Sequence, residues 1–394
     1  MDILDIAIVS SVRTAIGKGV KGTLKDTRPD DLGACAVKAA IERAGISPDV
    51  VDDVVIGCAM PEAEQGMNFA RIIAARSGLP DRVSAATVNR FCSSGLHAIA
   101  DVAKSLHARQ IDVGIGGGAE SMSMVPMGGH RLSPNPTLMA QMPEFYVPMG
   151  ITAERVAKKY DVTREAQDHL AYESHQRALF AQEHGYFDDE IVPLDVRVGV
   201  TATDGTFSYQ SVRFQKDEGP RRETSVEALH ALRPAFAFGG TVTAGNASQI
   251  SDGAAASVLM RSETAKAENM PILGYFRAFV TAGVPPDLMG IGPVPAVKKL
   301  LEKAGIALDD VGVVELNEAF AAQAVYCIRA LDLAPQKVNP NGGAIALGHP
   351  LGCTGARQVA TILHHMAKNR LRYGVVTMCV GGGMGAAGLI ELAG

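Results

Sequence analysis

The chain predicts an α/β protein built from two duplicated halves, with a longer segment inserted between them. Three observations carry this. Short apolar runs alternate with stretches of helical period. The composition is 47% apolar and 20% charged, with 42 glycines and no tryptophan over 394 residues, which suits a large core crossed by tight turns. The third is an internal repeat. Glu42-Arg-Ala-Gly-Ile46 matches Glu302-Lys-Ala-Gly-Ile306, an offset of 302 − 42 = 260. The same offset pairs Asp49 with Asp309, Val54 with Val314, Gly95 with Gly355 and Gly114 with Gly374, without a gap.

The elements follow in order. Ile3 to Val9 predicts a buried strand. Ser10 to Arg28 reads as a loop whose Arg13, Lys18, Lys21 and Lys25 form a solvated surface. Asp31 to Ala44 has helical spacing and stops at Gly45. Val50 to Cys58 predicts a strand, Asn68 to Ser77 a helix ended by Gly78, and Ile111 to Ile115 a strand before a glycine run. Parallel strands joined by helices bury both sheet faces, which explains the apolar runs. Ser121 to about Gln249 has no counterpart in the other half. It predicts helices at Thr152–Lys159 and Arg164–His184, a polar stretch near Thr201–Arg222, and a set of methionines (Met122, Met124, Met127, Met139, Met142, Met149) most simply read as adaptable core. The division expected is 1–120 with 250–270, the insertion 121–249, and 271–394. Gly374 to Ile390 is uncharged, but its glycines favour strand, turn, strand over a membrane span.

Several function classes are set aside. The net charge of −5 gives no general attraction to nucleic acid or an anionic membrane. The cysteines at 35, 58, 92, 327, 353 and 379 form no CxxC pair or short-spaced framework, so no zinc site or disulfide scaffold is expected. With no targeting signal visible, a reducing, cytoplasmic setting is expected. Gly114-Ile-Gly-Gly-Gly-Ala119 fits a dinucleotide loop only in form, since no long helix follows. His364-His365 lacks HExxH spacing.

Four turns hold the candidate chemistry. Asn89-Arg-Phe-Cys-Ser-Ser-Gly-Leu96 reads as strand, turn, helix, with Cys92 at the helix start. Free N–H groups and the dipole there favour thiolate, although burial as a small hydrophobe is the simpler local reading. His349 is held between Gly348 and Pro350 ahead of a helix. Cys379 ends an apolar strand and precedes Gly381-Gly-Gly383. Glu315-Leu-Asn-Glu-Ala-Phe320 ends a strand at Asn317. The repeat places His349 against Asn89. If the halves pack about a pseudo-twofold axis, the Cys92 and His349 turns meet near it.

Together these motifs resemble the thiolase family over essentially the whole chain. Pro148-Met-Gly-Ile151 and Thr243-Ala-Gly-Asn-Ala-Ser-Gln249 look most like the peroxisomal-type, degradative 3-ketoacyl-CoA thiolases. The resemblance implies a thiolase-like fold, two α/β halves with sheets packed in a layered core plus a loop domain. It also implies acyl transfer through an acyl-cysteine, as in fatty-acid β-oxidation. Cys92 would be the nucleophile, His349 its base, and Cys379 the acid and base at the acetyl carbon. His349 with a water held by Asn317 would serve one oxyanion, and backbone N–H groups of Cys92 and Gly381 the other. Contacts to CoA carry over to Met149, Arg221, Phe236, Ser248, Met289 and Phe320. CoA would be a substrate rather than a resident cofactor, with no metal, no nucleic-acid or membrane partner, and a homodimer or tetramer expected.

Pro148 and Ser93 stand where biosynthetic acetoacetyl-CoA thiolases commonly have His and Gly, which leans toward the degradative class. The alternatives are a biosynthetic acetoacetyl-CoA thiolase and a non-catalytic CoA or lipid carrier. Ketosynthases share the fold but use no second cysteine, so Cys379 argues against them.

Overall fold

The structure is a computed structural model that describes residues 4–394. Nine strands form one hydrogen-bonded path. Its order is Val311–Leu316, Tyr373–Val380, Met384–Leu392, Gly274–Gly283, Ile6–Thr14, Ser251–Arg261, Val113–Ser121, Asp53–Gly57, Ser84–Val88. The halves meet where Ile6–Thr14 pairs antiparallel with Gly274–Gly283, Ala7 opposite Tyr275. The two expected sheets are thus continuous through this pairing. The parallel expectation needs correction as well. Only Asp53–Gly57 with its two neighbours and Val311–Leu316 with Tyr373–Val380 are parallel pairs along this path. Met384–Leu392 returns through a tight turn and Ser251–Arg261 returns from the insertion, so both run antiparallel.

Alternation along the strands builds the layers. Ile6 and Ile8 face a central core with Val376, Met378 and Val380. That core surrounds two helices, Ser94–His107 and Leu351–Asn369, through Leu96, Ile99, Val102, Val359, Ile362 and Met366. Ala7, Val9, Val54 and Ile56 face the other way, onto Pro29–Ala44 and Phe69–Arg76. Ala278, Val314, Val375 and Leu389 meet Pro293–Ala304 and Ala321–Ala330 in the second half. With both faces covered, each fully buried Leu or Ile contributes roughly 1.5–3 kcal/mol.

The glycine run after Ile115 lies inside a strand, not after one. Val113–Ser121 is paired on both sides throughout most of its length. Side chains are excluded because the central helices press on it. A Cβ on Gly116 would lie 2.6 Å from Ile99 Cα, and one on Gly118 would strike the Gly352 carbonyl.

The ungapped repeat also needs correction. The strand Ser84–Val88 should correspond to 344–348, but Ala344–Leu347 is a short helix. The partner of Val314 is instead Val338, by a single parallel bridge, as Ala85 is for Val54. Register is therefore lost after Asn317 and regained at the central helices.

Arg13 is no surface residue. It is fully buried between Glu190 (2.5 Å) and Asp217 (2.7 Å), both from the inserted segment. Within that segment lie Pro136–Gln141, Met149–Lys159, Arg164–Glu183 and a hairpin, Leu194–Thr201 with Phe207–Phe214, where a polar stretch was expected. Met122 is buried, but Met127, Met139 and Met142 are exposed, so the methionines are not one core.

Candidate active site

Cys92 sits in a single 3₁₀ turn, Phe91–Ser93, directly before the helix Ser94–His107. The turn is strained. Phe91 has φ +43°, a region bulky residues avoid. Two hydrogen bonds hold it there. Phe91 N donates to Asn89 Oδ1 (2.8 Å), and Ser94 Oγ donates to Phe91 O (2.7 Å). The turn packs on both the strand Tyr373–Val380 and the helix Leu351–Asn369. Cys379 is thereby brought to Cys92 from the other half, and His349 stands two residues ahead of the helix on which the turn packs.

The expected thiolate is not the resting state. Burial pushes the Cys92 thiol up to about 11, and Glu120's charge adds to the rise. The N–H groups of Gly381 and of Cys92 itself point at Sγ and offset part of it. Cys379 is fully buried and its thiol lies well above the ordinary range, through burial first and the neighbouring Cys92 second.

His349 follows the Gly348 turn. Its N–H donates to Ser251 Oγ (3.2 Å). Thr354 Oγ1 donates to Pro350 O (3.0 Å), so its 2.6 Å contact with His349 Nδ1 is an accepted hydrogen bond. Nδ1 therefore carries the imidazole proton and Nε2 is bare. Nε2 faces Asn317 Nδ2 at 3.2 Å. Burial first, and the Arg357 charge second, hold the imidazole down at about 3, so it is neutral. Asn317 is fully buried and its Oδ1 has no partner. A buried amide oxygen of this kind is a place for a water or a substrate group.

An apolar wall closes the Cys379 side. Met289, Phe320, Ala247 and the partly buried Met149 pack in one cluster with Cys379. Phe236, 40% exposed, meets Phe320 edge-on with centroids 5.9 Å apart. Ser248 N donates to Ala319 O (3.0 Å). Arg221 stands apart from this cluster. It is exposed, and its backbone N–H donates to His175 Nδ1 (3.2 Å).

Sequence reasoning missed the buried groups that hold these turns. Glu318 accepts from Ser174 Oγ (2.7 Å), Asn339 Nδ2 (2.8 Å) and Ile345 N (3.2 Å), fixing the short helix ahead of His349. Gln249 Nε2 donates to Ile345 O (2.9 Å) on the same helix. Glu318 and Gln249 were in quoted motifs, but their partners are distant in sequence. Glu120 had no motif signal except a carboxylate closing an apolar, Gly-rich strand.

The chain matches the model of the thiolase N-terminal domain over residues 6–263 and that of the thiolase C-terminal domain over 270–392. It is 54% identical over 388 residues to a 3-ketoacyl-CoA thiolase of Bacillus subtilis (strain 168), covering 98% of this chain and 99% of that protein. Among solved structures, the dimeric peroxisomal thiolase of Saccharomyces cerevisiae superposes with a TM-score of 0.87 at 42% identity, over 99% of this chain and 98% of that one. Human mitochondrial 3-ketoacyl-CoA thiolase in complex with CoA superposes with a TM-score of 0.89 at 36% identity, over 100% and 99%. On two matched domains, near-complete coverage and a shared fold, this chain belongs to the thiolase family.

Proposed function

We propose that this protein is a 3-ketoacyl-CoA thiolase that cleaves its substrate with CoA, giving acetyl-CoA and a shortened acyl-CoA in fatty-acid degradation. What supports the reading is the meeting of two thiols and two backbone N–H groups at the Cys92 turn, with one bare imidazole nitrogen on the turn that leads into the adjoining helix.

His349 Nε2 takes the Cys92 proton as Sγ bonds to C3 of the ketoacyl group. Both groups rest neutral, so a free thiolate–imidazolium pair is costly and transfer accompanies attack. The C2–C3 bond then breaks, leaving an acyl-cysteine and the enolate of acetyl-CoA. Cys379 gives its proton to C2. It next takes the proton of the incoming CoA thiol, whose sulfur attacks the acyl thioester. Cys92 leaves and regains its proton from His349. The N–H groups of Cys92 and Gly381 stabilise one oxyanion, and His349 with a group held by Asn317 the other.

CoA binds as substrate along the wall of Met149, Phe236, Met289 and Phe320, with Ser248 at its amides and Arg221 at its phosphates. The yeast relative is dimeric and the human relative binds CoA, which supports a homodimer and this ligand. The division into 1–120 with 250–270, 121–249 and 271–394 belongs to the same reading. Among the described residues no helix is long and apolar enough to cross a membrane. Six unpaired cysteines suit a reducing, cytoplasmic compartment.

Thiolysis across a chain-length series tests the reading, with Cys92→Ser as control. Turnover of acyl chains beyond four carbons, with an acyl adduct on Cys92 by mass spectrometry, is expected. Activity confined to acetoacetyl-CoA would instead indicate the biosynthetic class.

A further inference from the structure

Glu120 is fully buried at the end of the strand Val113–Ser121. No cation pairs with it among the described residues. Four N–H donors take that place. Oε2 accepts from Ala59 N (2.7 Å) and Gly352 N (2.8 Å), and Oε1 from Met60 N (3.1 Å) and Gln65 Nε2 (2.8 Å). These donors, with the Cys58 thiol 3.7 Å from Oε1, favour the anion and offset part of the rise that burial imposes on the carboxyl. Gly352 is the second residue of the helix that follows His349, and its positive end favours the charge.

The Ala59 side leads to the nucleophile. Ala59 O accepts from Asn89 Nδ2 (3.0 Å), and Asn89 Oδ1 accepts from Phe91 N (2.8 Å) at the strained residue beside Cys92. Ala59, Met60, Met122 and Leu351, which pack around Cys92, all lie within two residues of groups in this bridge. One carboxylate thus ties the start of the His349 helix, in one half of the molecule, to the Cys92 turn in the other.

We infer that Glu120 is a positioning residue, which sets the spacing of Cys92 and His349 by bridging the Ala59–Met60 turn to the helix after His349. The inference rests on the catalytic reading of those two residues. Glu120 also acts through charge. The titratable groups that act on Cys92 are the Cys379 thiol from the strand Tyr373–Val380 and Glu120, the one carboxylate of the two. Its charge opposes the thiolate and adds to the larger effect of burial.

Glu120→Gln removes the charge and turns an amide N–H toward backbone donors. In the full-length protein, kcat is expected to fall by about 100-fold, the cost of a small misplacement of reacting groups, with KM changed less than threefold. The apparent pKa for Cys92 alkylation by iodoacetamide is expected to move down, while the alkylation rate of the fully ionised thiol at high pH, which loosened packing would raise, stays at the wild-type value. If Glu120→Gln does not fold, Asn89→Ala cuts the same bridge at an exposed residue, and lower kcat at unchanged KM and melting temperature is expected. Wild-type kcat and alkylation profile in Glu120→Gln, or wild-type kcat in Asn89→Ala, overturns the inference. A Cys92→Ala protein that still turns over would instead overturn the catalytic reading, and so the two failures are told apart.

Discussion

Gly95 and Gly355, related by the repeat offset of 260 (355 − 95), touch each other's helices at the centre of the molecule. A Cβ on Gly95 would lie 2.6 Å from Gly352 O and 2.8 Å from Ala356 N, and one on Gly355 would lie 2.5 Å from Leu96 N. The two helices follow Cys92 and His349, so their close approach helps set the separation of the turns proposed to be catalytic. Gly355→Ala must push backbone away from backbone. We expect it to lower stability by about 1–3 kcal/mol, the usual cost of overpacking, and to reduce kcat. Urea unfolding with parallel thiolysis assays checks this.

Arg13 is the sole cation between Glu190 and Asp217 in the described structure, and it ties the insertion to the sheet. Arg13→Met leaves two buried carboxylates unpaired. A loss of about 3–5 kcal/mol is expected, the range for breaking a buried pair from one side. An unchanged denaturation midpoint would refute it.

Asn317→Ala removes the amide beside His349 Nε2 without touching either thiol. A kcat loss on the order of 100- to 1,000-fold is expected, as for an oxyanion-hole donor. Acyl-cysteine formation should slow in a rapid-quench assay, while Cys92 remains open to alkylation.

Cys379→Ala should stop exchange of the acetyl-CoA methyl protons with solvent deuterium, followed by NMR. Cys92→Ala should abolish acyl adducts and lower thiolysis by on the order of a million-fold, the size of losing a covalent nucleophile. Adduct formation that persists without Cys92 would sink the assignment.

The pH dependence of stability follows from three imidazoles, His349 and His175 buried and His365 half-buried. Burial lowers His349 from 6.5 to about 3, and His175 and His365 from 6.5 to about 4. Their unfolded forms take up protons near pH 6.5 and the folded ones do not, so this stability is complete above that pH. It is lost as pH falls toward 4 and then 3. Melting temperature should decline over that window, and His349→Gln should flatten the decline.

Much of the proposed site was legible in the sequence because its candidate groups sit in short motifs at turns. Cys92, His349, Asn317 and Cys379 each follow or precede a recognisable strand or helix, and the repeat indicated that two of these turns would meet. The activation of Cys92 was not legible. A helix start suggests a thiolate, but the net effect depends on how deeply the thiol is buried and on Glu120 across the fold.

The α/β periodicity, the duplication and the candidate reacting groups were already set in the sequence, since these depend on local spacing and residue type. The tertiary structure alone decided the rest. It joined the halves through Ala7 and Tyr275, ran the glycine-rich strand through the core, buried Arg13, and placed Glu120 between the Ala59–Met60 turn and the start of the helix after His349. Each of those outcomes depends on contacts between residues far apart in the chain, and local pattern carries no record of which distant backbone will come within reach.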